Sequence, residues 1–499
     1  MSIPYTTIIG LEVHVQLDTR TKLFCGCSTA FGAEPNTQTC PVCIGLPGSL
    51  PVMNRRAFEL SLRTAAALNC EIAPFTKWDR KQYYYPDLPK GYQISQYDLP
   101  FSHDGWLEIS DAKGKFATKR IGIIRAHLEE DAGKSVHDEV AGRADSRIDL
   151  NRTGTPLLEI VSQPDLCSAA EAKAYLTEMK LLLTYLAVSD CNMQEGSLRV
   201  DANVNLHILK PDGITDKPDG KVATPIVEVK NMNSFRAVER ALEYEVERQW
   251  QAWQESGVKL GAKGGHKTTR GWDDQKQITY PQRQKEESSD YRYFPDPDLV
   301  PVKTTADEIA KVRGALGELP AALRTRLQTD YGITAYDADV IVNQSRAFVG
   351  YFLALADDCG DGKQAANWLT QDVLRIVNEQ NVAIEKFSVT PVSLAELLKK
   401  VQAGELDTSR AREVFADMVA TGKSAAEAMA ARGIQKVDES ELIALCEEIV
   451  NANPKIVADV KSGKASAIGG LVGQVKKRNA NVNPGRVKEI CAELIAKLV

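Results

Sequence analysis

Runs that alternate apolar and polar positions, or stay apolar between turn residues, mark five strands early in the chain. They are IIGLEVHVQL from Ile8, KRIGIIRAHLEED from Lys119, PLLEIVS from Pro156, LRVDANVNLHIL from Leu198 and PIVEVK from Pro225. Between the third and fourth, Ser168 and Glu171 form a capping box. Ala172, Leu176, Met179, Leu183 and Leu186 then recur at spacings of four and three, which predicts an amphipathic helix. After Ser234, Val238, Leu242, Val246, Trp250 and Trp253 predict a second helix with the stripe turned to the core. Strands and helices together make this part α+β, built on a large mixed sheet.

The segment YFPDPDLVP, residues 293 to 301, carries three prolines and marks a boundary, because proline removes backbone donors and favours extended structure before it. From 302 onward Ala, Leu, Glu and Lys dominate. Breaks fall near Gly360 to Gly362, at Thr390 and Pro391, at Gly404 and at Asn453 and Pro454, as expected for a run of helices. A second boundary near Leu406 gives three expected domains: a mixed-sheet domain over 1–297, a helical domain over 298–406 and a small helical tail over 407–499. No internal repeat or low-complexity tract interrupts them.

Composition narrows the class. With 499 residues, 43% hydrophobic and 26% charged, the chain is globular and excludes a disordered reading. The N-terminus MSIPYTTIIG lacks a basic region followed by an apolar run, and no later apolar segment approaches bilayer length, so the expected location is the cytosol with no membrane partner. The net charge is −6, yet the last 49 residues carry nine Lys or Arg against three Asp or Glu. Lys464, Lys476, Lys477, Arg478, Arg486 and Lys488 make that end a candidate nucleic-acid contact, set against the plainer reading of a solvated helix face.

Candidate chemistry lies in the first part. Of ten cysteines, Cys25, Cys27, Cys40 and Cys43 cluster as Cys-x-Cys and Cys-x-x-Cys, four soft ligands able to close a tetrahedral Zn²⁺ site. Four thiolates leave no position open for substrate, so the role is structural. Glu12 and His14 project from one face of a strand, with Val13 and Val15 on the other. Alone, such a pair is more often solvent-facing than ligating. Glu129, Glu130 and Asp131 end another strand, Glu159 and Glu228 sit within apolar strands, and Glu195 precedes a glycine turn. Carboxylates in apolar strands are costly to bury unless paired or bound to cations, so their convergence with a histidine suits a hard cation such as Mg²⁺. Mg²⁺ suggests a phosphate-bearing nucleotide, although neither a Gly-x-x-x-x-Gly-Lys-Ser/Thr loop nor a Gly-x-Gly-x-x-Gly turn is present. Lys90, Lys134, Arg152, Arg199, Lys230 and Arg292 are the nearby cations, each by itself an ordinary surface charge.

The words IIGLEVHVQL, TCPVCIGLPGSLPVMN, YYYPDLPKGYQISQYD, HLEEDAGKSVH, DLNRTGTPLLEIVS, MQEGSLRVDANVN, EVKNMNSFRAVERALEYEVERQ and DYRYFPDPDL resemble the GatB family, the B subunits of the aspartyl/glutamyl-tRNA(Asn/Gln) amidotransferases. GKASAIGGLVGQVKKRNANVNPGRVKEI resembles that family's tail domain, so the likeness runs from about Ile8 to the end. It implies an ATP- and Mg²⁺-dependent catalytic cradle with a structural zinc knot, followed by the helical domain and a tRNA-binding tail. It implies a heterotrimer with an A subunit that frees ammonia from glutamine and a bracing C subunit. Such an enzyme phosphorylates the side-chain carboxylate of Glu-tRNA(Gln) or Asp-tRNA(Asn) with ATP, and ammonia then displaces phosphate. By resemblance the Mg²⁺ ligands fall on His14, Glu130 and Glu159, with Glu12, Glu195 and Glu228 as further pocket members; of the nearby cations, Lys90, Arg152, Arg199 and Lys230 are the candidates to neutralise nucleotide phosphate. The strand pattern itself leaves Glu129 and Glu130 open, since neighbours on a strand point to opposite faces.

Two departures from the family pattern stand out. KQITYPQRQ at 276–284 replaces a Ser-Met-Arg run before Lys285-Glu286-Glu287, and the thiolate cluster is one that some members lack. Two other classes compete with the amidotransferase reading: a metal-dependent phosphohydrolase, which would turn over alone, and a zinc-bearing RNA-binding scaffold, which would never consume ATP.

Overall fold

The computed structural model describes residues 5–111, 113–137, 146–209, 221–282, 290–434, 438–479 and 481–498. The chain forms two compact units, Met1–Ala321 and Ala322–Val499. The division falls later than the expected 297/298 boundary because helix Ala306–Gly314 packs on helix Arg55–Ala67 of the first unit. Within the second unit, helix Thr408–Thr421 packs on helix Pro391–Gln402, across the expected 406/407 boundary.

All five expected strands form, and they lie side by side. In a ten-stranded mixed sheet, Tyr5–Gln16 sits between Pro156–Ser162 and Leu198–Leu209, with Lys119–Glu130 beyond the first and Val227–Lys230 beyond the second. These neighbours are antiparallel, whereas Val227–Lys230 pairs in parallel with Thr268–Asp273. Period two sorts the side chains: Val13, Val15, Leu128, Leu158, Ile160, Val200 and Val229 are at most 3% exposed on the core side.

Helices Ala169–Tyr185 and Phe235–Ser256 pack on each other within this unit. The Ser168 hydroxyl accepts the Glu171 N–H at 3.1 Å, so the N-cap forms as expected. The reciprocal bond of a capping box is replaced, because Glu171 accepts from the Cys167 N–H and from Lys119. In the second helix Val238 and Leu242 are fully buried, but Val246, Trp250 and Trp253 are only partly covered. Glu245 and Gln249 take the deep positions instead, satisfied by Arg248, Thr279 and the Val204 carbonyl.

The second unit is helical in its described residues, and the sequence breaks are its caps. Gly360 is a left-handed C-cap, Thr390 caps a helix that opens on Pro391, and Asn453 precedes one that opens on Pro454. A cluster of Leu442, Cys446, Ile449, Leu471, Val475, Val487 and Ile490 forms a core near its end. No helix among the described residues is long and apolar enough to cross a membrane.

Candidate functional site

Sheet register builds the polar face. His14 lies opposite Arg199 on one side and Glu159 on the other, and Glu159 lies opposite His127. Glu129 is two residues beyond His127 on the same strand and so points the same way. His14 Nε2 is 3.7 Å from a Glu159 carboxylate oxygen and 4.0 Å from one of Glu129, while His127 Nε2 is 3.4 Å from Glu159. Ligand atoms of His14, Glu129 and Glu159 all lie within 4.8 Å of one another.

Glu130, expected beside His14 and Glu159, does not lie in this group. One residue along a strand reverses the face. Glu130 pairs with Lys90, accepts the Ile94 N–H at 3.0 Å and is 2% exposed. Glu195 is also elsewhere: it is exposed in the turn before Leu198–Leu209, its N–H donated to Asn192. Glu12 and Glu228 join Asp201 in a second carboxylate group on the same face, again with ligand atoms within 4.8 Å. Lys230 lies 2.5 Å from Asp201 and 3.5 Å from Glu228, Lys267 lies 3.5 Å from Glu228, and Asn203 donates to Glu12 at 2.9 Å.

The electrostatics of the first group favour a cation. Burial and then Glu159 push the Glu129 carboxyl up to about 8. Burial lowers His14 to about 4 and His127 well below the usual imidazole range, so both rings are neutral at pH 7. Glu12 is raised by burial and by Glu159. Among the described residues the buried Glu129 Oε2 has no hydrogen-bond partner, nor does His127 Nδ1. An orphaned carboxylate oxygen beside a neutral imidazole and a second carboxylate fits a hard divalent ion, whose charge would offset the burial and the repulsion that raise Glu129.

The expected cations divide. Arg199 and Arg152 serve Asp131, at 2.7 and 3.6 Å, and against its burial hold that carboxyl below the usual range, helped by Gln16 at 2.8 Å. Arg152 also donates to the Ala132 and Gly133 carbonyls. Lys134 and Arg292 are exposed. Sequence reasoning missed Lys81, on the short strand Asp79–Gln82: although burial opposes it, Glu129 and other acidic neighbours raise its ammonium, which lies 5.1 Å from the Tyr291 ring. It missed His127, Asp201 and Gln16 as well, although each alternates with apolar neighbours and period two alone puts it on the polar face.

The four clustered cysteines come together, with sulfurs within 4.8 Å of one another. A tetrahedral site with bonds of roughly 2.3 Å needs sulfurs about 3.8 Å apart, so the set fits zinc. The Cys40 N–H donates to Cys43 Sγ at 3.1 Å, and hydrogen bonding from Cys25 holds the Cys43 thiol well below its usual range. Of the 276–284 segment, Ile278–Pro281 is an outer strand of the main sheet; 283–289, with Lys285, Glu286 and Glu287, lies outside the described residues. Among the tail cations, Lys464, Arg478 and Arg486 pair at the surface with Asp459, Glu448 and Glu439, contacts of little net worth, and Lys476 pairs with the more covered Asp407.

A mixed-sheet domain with carboxylates and imidazoles on one face, joined to a helical unit, defines the class, and comparison with known proteins agrees. Residues 7–310 match the family model described as the GatB/GatE catalytic domain, and 350–495 match the GatB domain. The chain is 57% identical over 495 residues to the aspartyl/glutamyl-tRNA(Asn/Gln) amidotransferase B subunit of Rhodopirellula baltica, covering 99% of this chain and 98% of that one. It is 48% identical over 492 residues to the corresponding protein of Moorella thermoacetica, covering 98% and 99%. For Caldanaerobacter subterraneus subsp. tengcongensis the identity is 46% over 495 residues, covering 99% and 100%. The chain belongs to the GatB family of tRNA amidotransferase subunits.

Proposed function

We propose that this chain is the carboxylate-activating member of a heterotrimeric, cytoplasmic amidotransferase that converts Glu-tRNA(Gln), Asp-tRNA(Asn) or both to the amide. A side-chain carboxylate oxygen of the misacylated tRNA attacks the γ-phosphorus of ATP, and ADP leaves. Ammonia, freed from glutamine by an A subunit held with a C subunit, attacks the acyl carbon; inorganic phosphate leaves and the amide remains. A carboxylate is a poor electrophile and its acyl phosphate a good one, which is why ATP is consumed.

The observation that carries this reading is the convergence of His14, Glu129 and Glu159, with an unpartnered Glu129 oxygen, on the polar face of the sheet. We assign Mg²⁺ to these three, with Glu129 in place of Glu130. When bound there, the ion supplies charge neutralisation to the phosphates. Lys81, half-buried and raised by the same carboxylates, is the cation best disposed toward a nucleotide phosphate. Arg199, Arg152 and Lys230 pair with Asp131, Asp201 and Glu228 beside the ligand group, so that the face keeps its shape. Lys90, paired with Glu130 on the other face, has no direct part in phosphate binding. Zn²⁺ on Cys25, Cys27, Cys40 and Cys43 would stabilise the fold and not the reaction. The tail binds tRNA through phosphate contacts.

The test is ATP cleavage by the reconstituted trimer, offered Glu-tRNA(Gln), Asp-tRNA(Asn) or uncharged tRNA separately. Cleavage should require a misacylated tRNA. Turnover by the isolated chain would favour a phosphohydrolase, and no cleavage under any condition a scaffold.

A further inference from the structure

Lys22 has no place in the chemistry above, yet it is 0% exposed. A buried ammonium is costly unless every N–H is bonded and its charge answered. Its three protons meet three acceptors: the Gln38 carbonyl at 2.7 Å, the Leu150 carbonyl at 3.4 Å and Cys43 Sγ at 3.6 Å. Among the described residues no carboxylate pairs with it, so the sulfur is the one acceptor able to carry charge. Four thiolates on a divalent ion leave two negative charges uncompensated, and Cys43, the sulfur that Lys22 meets, is the buried one of the four. Each group supplies what the other lacks.

The surroundings tie the two together. The Lys22 N–H donates to the Cys27 carbonyl at 3.0 Å, and the Leu23 N–H to the Gly154 carbonyl at 2.8 Å. Gly154, at φ +83°, lies in a junction where a side-chain carbon would touch Cys43 Cβ, Glu130 Oε2 and Lys22 Cδ, each at 3.6 Å. Lys22 therefore joins the thiolate knot to the 150–154 turn and to the wall carrying Glu130.

We propose that Lys22 is the internal counter-charge of the four-cysteine knot: its ammonium offsets the metal–thiolate charge through Cys43, and its burial depends on the loaded knot. It acts through the cysteines and is a positioning residue. The inference rests on the reading of the knot as a zinc site, so the zinc content of the full-length wild-type chain is measured first; no zinc sinks that reading, and zinc with the results below reversed sinks this one alone.

The variants are full-length Lys22→Met, which removes charge and donors, and Lys22→Gln, which keeps an N–H donor without charge. Zinc release to a competing chelator should accelerate about 10- to 100-fold in both, the range usual for partners of metal ligands. A lysine serving only the fold would lower the melting temperature of zinc-stripped and loaded chain alike and leave the release rate unchanged, which overturns the proposal. Should both variants fail to fold, wild-type protein decides. Reductive methylation read by mass spectrometry should label Lys22 after zinc is stripped and not before, and equal labelling or equal protection in the two states overturns the proposal.

Discussion

Replacing Glu129 by glutamine isolates the residue on which the metal assignment turns. With its carboxyl near pH 8 and the His14 imidazole near 4, Glu129 is about one-tenth ionised at pH 7 while His14 is already neutral. A divalent ion must displace the remaining proton, so apparent affinity should rise roughly tenfold from pH 6 to 7, about 1.4 kcal/mol, and level off above pH 8. Calorimetric titration of the purified chain with Mn²⁺ or Mg²⁺, in buffers of different ionisation enthalpy, reads both affinity and proton release. Glu129→Gln should weaken binding and flatten this dependence. Glu130→Gln, changed on the opposite face, should keep the slope. A slope that survives Glu129→Gln and disappears in Glu130→Gln would refute the reasoning from sheet register.

Stability of the metal-free chain should follow the same groups. Glu129 is raised from 4.5 to about 8, so the folded state holds a proton the unfolded chain has lost, and stability falls as pH rises through that interval. His14 is lowered from 6.5 to about 4, which makes stability rise with pH below 6.5 and adds nothing above it. Melting temperature should therefore fall between pH 6.5 and 8 and recover with Mg²⁺; a rise over that window contradicts the assignment. Arg199→Ala leaves buried Asp131 with Gln16 and the more distant Arg152, and should cost about 2–3 kcal/mol by urea unfolding, less than the roughly 3–5 of a wholly broken buried pair. Cys43→Ser should abolish stoichiometric zinc and lower the melting temperature of the N-terminal unit without changing the Mg²⁺ slope. Removing residues 407–499 should weaken tRNA binding and its salt dependence while metal content stays unchanged, and equal affinities at two salt concentrations would dispose of the tail's role.

Much of this is legible in the sequence. Period two in LEVHVQL and LRVDANVNL selects the face that carries Glu12, His14, Arg199 and Asp201, and helices start after Ser168, Ser234, Thr390 and Asn453 where the residue types put them. Register was not legible. Whether Glu129 or Glu130 meets His14 depends on which side of Lys119–Glu130 faces Pro156–Ser162's polar positions, a pairing between segments far apart in sequence. The apolar stripe of the 235–256 helix departs from expectation toward its end, because Glu245 finds Arg248, Arg270 and Thr279 there and a satisfied carboxylate can occupy a core position. Lys81 and Lys22 escaped notice because a lysine's burial depends on neighbours brought from other segments, and nothing in its local sequence signals it.

The most direct test withholds glutamine from the reconstituted trimer and asks whether phosphate from ATP reaches the side-chain carboxylate of misacylated tRNA, trapped with hydroxylamine. Wild-type and Glu130→Gln enzymes should form the trapped acyl product, and His14→Ala, Glu129→Gln and Glu159→Gln should not. Full formation by Glu129→Gln, with loss in Glu130→Gln, would contradict the account.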